Sequence, residues 1–122
     1  MPERIYQKLV DRGHAERWKY AAELGRHGKA AVDLLVASLK DEDKWVRYLI
    51  IDALGNIQDP QVVEPLISAL GDLDQDVRFV AAEALGRVGD ARALEALEKT
   101  CTADNCYVKI AAEDAISRLK QG

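Results

Sequence analysis

Few side chains of this chain could do chemistry, and their spacing favours no catalytic or metal site. The two histidines are His14 and His27, and the two cysteines, Cys101 and Cys106, stand five positions apart. A zinc site would need two more ligands, and none lies nearby in the sequence. No nucleophile–histidine–acid order, phosphate-binding loop or dinucleotide fingerprint occurs either. We therefore expect no catalytic residue, no metal and no cofactor.

Charged residues recur at a fixed spacing, which is typical of a structural role, since a catalytic group would be needed only once. The recurring cations are Arg17, Arg47, Arg78 and Lys109. The acids assigned to them are Asp43, Asp59, Asp74 and Asp90. Arginine makes fork-shaped bonds to carboxylates, and an aspartate ahead of a helix caps its first turn. These eight residues are therefore predicted to form a structural ladder between turns and helices.

The ladder belongs to a longer repeated sequence. The stretch DVRFVAAEALGRVGD at 76–90 matches WVRYLIIDALGNIQD at 45–59 and YVKIAAEDAISRL at 107–119. A degraded copy, AERWKYAAELGRHG, occupies 15–28. Self-similarity at this period indicates one supersecondary unit stacked on itself.

The elements that carry these residues read as helices, because apolar positions recur at helical spacing between short Asp/Gly turns. The predicted helices cover 2–10, 14–26, 29–40, 44–57, 61–70, 75–88, 91–101 and 106–120. No strand signal appears. The eight helices make four two-helix repeats in one all-α domain, with bounds of about 1–28, 29–58, 59–89 and 90–122. A two-helix unit cannot bury its own apolar face, so the repeats are expected to stack into an α-α superhelix.

The pattern VR-x-x-AA-x-ALG-x-x-GD, followed by A-x-x-x-L, resembles the HEAT-like repeats named after phycobilisome (PBS) bilin lyases. The third repeat carries the pattern in full, at Val77, Arg78, Ala81, Ala82, Ala84, Leu85, Gly86, Gly89, Asp90, Ala93 and Leu97. The resemblance implies a HEAT-like solenoid whose second helices line the concave face. The family includes iron-dependent hydroxylases with His-Glu ligand pairs, but neither histidine here precedes glutamate. Relatives that act on DNA use a basic concave face, which this chain lacks.

Apolar side chains occupy positions on that face which stacking of the repeats does not require. These candidate binding residues are Trp18, Trp45, Tyr48, Leu49, Phe79, Val80, Tyr107 and Ile110. A contiguous apolar patch usually marks an interface, and Trp and Tyr are common anchors of binding. We expect these side chains to be dispensable for folding. The alternative is that the solenoid curls tightly and they pack on one another.

Composition narrows the class of partner. The chain is 48% hydrophobic and 31% charged, with a net charge of −4, which is typical of a globular protein and disfavours nucleic acid as a partner. No apolar run is long enough to span a membrane, and the first residues do not resemble a signal peptide, so a cytoplasmic location is expected.

Acidic residues around the apolar patch favour a basic protein or peptide as the partner. Two such faces could also bury each other in a homodimer. We interpret the chain as a non-catalytic interaction or scaffold module. The alternative is a bilin-lyase-like protein or lyase subunit, in which an apolar aromatic groove would hold a tetrapyrrole.

Overall fold

A computed structural model describes Glu23, residues 26–40 and residues 43–121. These residues form six α-helices and three short 3-10 helices, with no strand among them. The α-helices are α1 (Lys29–Ala37), α2 (Lys44–Gly55), α3 (Val63–Ala69), α4 (Gln75–Val88), α5 (Leu94–Ala103) and α6 (Cys106–Gln121). The predicted helices at 2–10 and 14–26 lie outside the described residues, apart from Glu23 and Arg26.

The first helix of each described pair contains a 3-10 segment that periodicity alone did not predict. Ser38–Lys40 follows α1, while Pro60–Val62 and Ala91–Ala93 precede α3 and α5. Helix α2 ends two residues before its predicted end, because the N–H of Asn56 bonds back to the carbonyl of Ala53 and the N–H of Ile57 to that of Leu54. Helix α4 has the predicted bounds.

Aspartates start four of the helical segments. Each accepts a hydrogen bond from the backbone N–H two residues further along, at 2.8 to 2.9 Å. The four are Asp43, Asp59, Asp74 and Asp90. Such a bond satisfies one of the amides that a helix start leaves without a partner. The short acidic turns thereby fix where each helix begins.

One hydrophobic core runs through the stack. Helix α4 packs between α2 and α6, with α3 against α4 and α5 against α6. Leucines at equivalent repeat positions fill the core without exposed surface: Leu35, Leu54, Leu66, Leu85 and Leu97. The second helices α2, α4 and α6 therefore lie side by side, which places equivalent residues of successive repeats next to each other.

Two glycines allow the second helices to approach closely. A Cβ on Gly55 would lie 2.7 Å from the Cβ of Ala84, and one on Gly86 would lie 3.2 Å from the Cα of Ala115. The glycine repeat position is therefore a helix–helix contact. Gly89 serves differently: its φ of 74° ends α4 in the left-handed conformation that favours glycine.

Within the part of the chain that the structure describes, no helix is both long enough and apolar enough to cross a membrane.

Candidate partner-binding site

Arginines of the second helices join neighbouring repeats through partly buried ion pairs. Arg47 makes a fork to Asp72, with N–O distances of 3.0 and 3.1 Å. Arg78 makes a fork to Asp104 at 2.7 and 3.1 Å, and a third donor reaches the backbone carbonyl of Asp72 at 2.8 Å. Each arginine thus bonds the turn of the following repeat. Burial opposes ionisation, but the bond from Arg78 lowers the pKa of Asp104 below its ordinary value.

These pairs correct the predicted ladder. Among the described residues, Arg47 and Arg78 bond the turn carboxylates of Asp72 and Asp104, which were not among the assigned acids. The four assigned aspartates cap helices, as the sequence also predicted. Lys109 approaches Glu113 of its own helix at 3.9 Å and does not repeat the inter-repeat bond. Its shorter-reaching single ammonium lacks the fork of a guanidinium. Arg17 lies outside the described residues.

The second helices also carry the predicted apolar surface, which we call the aromatic face and define as Trp45, Tyr48, Phe79, Tyr107 and Ile110. The rings of Phe79 and Tyr107 stack across α4 and α6, with centroids 4.4 Å apart and planes within 8°. Trp45 and Tyr48 contact each other at 5.8 Å within α2. Exposed fractions reach 40% for Trp45, 42% for Tyr107 and 68% for Ile110.

The predicted residues differ in how far they reach solvent. Tyr48, Leu49 and Phe79 are half-buried and pack against the core, so they support the face, and we expect their replacement to cost stability. Val80 was expected on the surface and is 1% exposed. It belongs to the helical stripe of Val77, Ala81 and Ala84, and α4 is covered along that stripe. Trp18 lies outside the described residues.

Asp76 ties the aromatic face together at the start of the second helices. Its carboxylate accepts from the hydroxyl of Tyr107 at 3.1 Å and from the ammonium of Lys44 at 3.4 Å. Lys44 also pairs with Asp74 at 3.1 Å, which raises its pKa, and lies 4.8 Å from the Trp45 ring centroid. Polar bonds at the rim therefore hold the exposed rings in one arrangement.

A row of acids runs beside the aromatic face, one helical turn further along. Asp52, Glu83 and Asp114 hold the same position in α2, α4 and α6. Arg87 bonds Asp52 at 2.8 Å and Arg118 bonds Asp114 at 3.0 Å. These five side chains line a shallow pocket of about 280 Å³. The aromatic face and an acidic pocket are thus continuous on one side of the stack.

Two features were not found from the sequence. Asp72 and Asp104 escaped notice as ion-pair partners because they stand thirty-two residues apart, one more than Arg47 and Arg78. Leu73, in the turn before α4, is 99% exposed. The sequence did contain a signal for this exposed side chain, because Leu73 stands between two aspartates in a predicted turn.

The described residues form neither a metal site nor a site for thiol chemistry. No group of three or more His, Cys, Asp or Glu side chains there could hold a metal ion. His27 is exposed, and His14 lies outside the described part. Cys101 and Cys106 are free thiols, the first half-buried and the second exposed. Burial, then the charge of Glu113, raises the pKa of Cys101.

Stacked helix pairs with capped acidic turns and a continuous core define an α-solenoid repeat protein. The sequence model of HEAT repeats matches residues 4–66 and 32–117. The chain therefore belongs to the HEAT repeat family, and the resemblance drawn from its repeats is confirmed. Among curated proteins no significant sequence match is found.

Solved structures share the fold. Human deoxyhypusine hydroxylase is 26% identical over 98% of this chain, with a TM-score of 0.84. The match takes up 43% of the hydroxylase chain, so this chain spans less than half of that protein. The complex of CpcE and CpcF of phycocyanin lyase from Nostoc sp. PCC7120 has a chain 22% identical, with a TM-score of 0.86 over 98% of this chain and 78% of its own. The latter likeness shows the fold alone.

Proposed function

We propose that this chain is a non-catalytic interaction module, a single domain of four repeats that works in the cytoplasm. Its aromatic face, with Trp18 as a further binding residue predicted from the sequence, binds another protein or a peptide. One observation carries the proposal: Trp45 on α2, and Tyr107 and Ile110 on α6, leave large apolar surface exposed on the second helices. Large apolar groups that neighbour one another on a surface usually mark an interface.

The geometry of the face suits binding in two ways. Its outer side chains rest on half-buried Tyr48 and Phe79, so a partner would meet rings that are already ordered. Ordered aromatic side chains lose little conformational entropy on binding and form common hot spots. Leu49 and Phe79 then act beneath the contact surface, and Val80 has no contact role.

The acidic row supports a basic partner. Asp52, Glu83, Asp114 and Asp76 outnumber Lys44 and the two arginines beside the face. Complementary charge accelerates encounter and selects among partners. The same surplus disfavours nucleic acid, whose phosphates need a basic surface.

The test compares partner capture by a face variant with capture by a matched control. Trp45→Ser with Ile110→Ser removes two of the three exposed side chains of the face, whereas Leu73→Ser removes a still more exposed leucine outside it. We expect both variants to keep the free energy of unfolding within about 1 kcal/mol of wild type, because surface substitutions cost little. Affinity purification from the source cells, with quantitative mass spectrometry, should show loss of partners for the double variant only.

Two outcomes would contradict the proposal. If the double variant folds and retains every partner of the wild type, the binding surface lies elsewhere. If Leu73→Ser loses the same partners, the turns are the interface. Sedimentation of the purified protein covers the case of a homodimer, in which wild type would associate and the double variant would not.

The second candidate function is that of a bilin-lyase-like protein or subunit. It is favoured by the fold shared with a chain of the CpcE–CpcF complex over nearly all of this chain. An apolar aromatic face could lie against a tetrapyrrole as well as against a peptide. A visible absorption spectrum of the protein mixed with a bilin separates the two candidates: a shifted band that disappears in the double variant supports the tetrapyrrole.

A further inference from the structure

Glu83 stands apart from its equivalents in the acidic row. Asp52 is bonded by Arg87 at 2.8 Å, and Asp114 is bonded by Arg118 at 3.0 Å. Glu83 lies between them on α4 and has no cationic partner among the described residues. Arg87, one turn further along the same helix, is directed away to Asp52 and to the side-chain carbonyl of Asn56 at 2.7 Å. The carboxylate of Glu83 is therefore available to a cationic group from another molecule.

The surroundings of Glu83 combine negative charge with aromatic rings. Its carboxylate lines the pocket of about 280 Å³, in which three acids face two arginines. Phe79 precedes Glu83 by one helical turn, as Tyr48 precedes Asp52, so the aromatic face borders this pocket. Burial, followed by the charges of Glu83 and Asp52, raises the pKa of the Tyr48 phenol.

We propose that this pocket receives an arginine side chain from a basic partner segment, whose apolar residues lie on the aromatic face. The proposal rests on the proposed function and specifies its partner. A guanidinium would give Glu83 the bond that Arg87 gives Asp52. Arginine suits the place better than lysine because its planar group forks to a carboxylate, stacks on aromatic rings and is weakly hydrated.

The experiment selects peptides from a random displayed library on the wild-type protein and measures the synthesised peptides by fluorescence anisotropy. We expect selected peptides to share one arginine flanked by apolar residues. Replacing that arginine by lysine or by uncharged citrulline should weaken binding, the latter by about tenfold or more, because a charge-assisted bond is lost.

The protein variants locate the contact. Glu83→Gln should weaken binding of the arginine peptide by about tenfold and have no effect on the citrulline peptide, since the two changes remove the same bond. Glu98→Gln, the same change at an exposed glutamate of α5, is the control and should leave affinity unchanged. Circular dichroism checks that both variants keep their helix content.

The outcomes separate this inference from the proposed function. Peptides that bind, and lose affinity in the Trp45→Ser/Ile110→Ser variant, but show no arginine preference and no effect of Glu83→Gln, would overturn the arginine site alone. Failure to select any peptide that depends on the aromatic face would overturn both. A protein that proves to be a dimer through this face, closed to peptides, would make a second copy the occupant and also contradict the arginine site.

Discussion

The pair between Arg78 and Asp104 shows how single residues join the repeats. Both side chains are mostly buried, at 19% and 13% exposed, and the fork between them spans twenty-six residues of sequence. By contrast, Arg118 and Asp114 form an exposed pair within α6. Buried forks resist screening by water and salt, whereas exposed pairs contribute little. Similar distances in the two pairs therefore have different energetic consequences.

The difference in burial between the two ion pairs predicts how the stability of the protein depends on pH. Asp104→Asn should lower the free energy of unfolding by about 1.5–3 kcal/mol at neutral pH, the range for a hydrogen bond to a charged group. Because folding lowers the pKa of Asp104, its contribution is present above the ordinary carboxyl pKa of 3.8 and is lost as the pH falls through the lowered value. Thermal and urea unfolding of the two proteins should therefore converge in acid.

Asp114→Asn is the matched control, and it should change stability by less than about 0.5 kcal/mol at any pH. A constant difference between wild type and Asp104→Asn down to strongly acidic pH would show that the carboxylate charge is not what the fork requires.

At the residue scale, the sequence predicted which residues cap helices better than it predicted which residues form ion pairs with each other. The capping aspartates could be identified because a cap acts on its own next turn. The acids that pair with Arg47 and Arg78 could not, since a long side chain reaches across a turn and its partner need not keep the repeat spacing. Val80 was misplaced for a related reason: it directly follows Phe79, yet one step along a helix turns a side chain from the exposed face into the core.

The glycines of the second helices determine how closely neighbouring second helices approach each other. Gly55 of α2 faces Ala84 of α4, and an added Cβ would meet its Cβ at 2.7 Å and its Cα at 3.0 Å. Gly86 faces Ala115 more loosely, at 3.2 Å. At Gly71, in the turn after α3, the nearest atom would be the Ser68 carbonyl oxygen at 3.5 Å, an ordinary contact.

Alanine substitutions at Gly55, Gly86 and Gly71 should destabilise the protein in that order, with the largest loss at Gly55. Gly55→Ala should destabilise the protein by about 1–3 kcal/mol, because overpacking forces α2 and α4 apart. That cost exceeds the gain of up to about 1 kcal/mol from alanine's higher helix propensity. Gly71→Ala, which meets no close neighbour, serves as the control. Chemical unfolding of the three variants checks the order; a Gly55→Ala protein as stable as wild type would mean that the helices are not held at this distance.

The helices themselves were largely predictable from the sequence. Apolar periodicity and Asp/Gly turns fixed α4 to the residue and showed that small residues lie where second helices meet. The 3-10 starts of the first helices were missed because a hydrophobic pattern of three or four residues does not distinguish the two helix types. In α6 the position of the repeated glycine is held by Ser117, whose side chain is exposed. The helix–helix contact that requires glycine at this position is therefore not made by Ser117.

On the scale of the whole molecule, repetition determines the fold, and departures from repetition point to function. Positions that recur, such as the leucines, form the core of the stack. The aromatic face and the unpaired Glu83 are where the repeats differ from one another. A single sequence shows these departures but not which chemistry outside the chain they serve, because packing within the fold leaves them unconstrained.

The most direct test of the interface is a photo-crosslinking amino acid placed at Ile110, the most exposed position of the aromatic face, and separately at Glu98 of α5. Both substitutions lie on exposed helix surface and should leave folding unchanged. Irradiation in the source cells, followed by mass spectrometry, reports what lies against each position. We expect a discrete protein adduct at position 110 that is absent at position 98 and lost when Trp45→Ser is added. Equal adducts at both positions, or an adduct at 98 alone, would contradict the proposed interface.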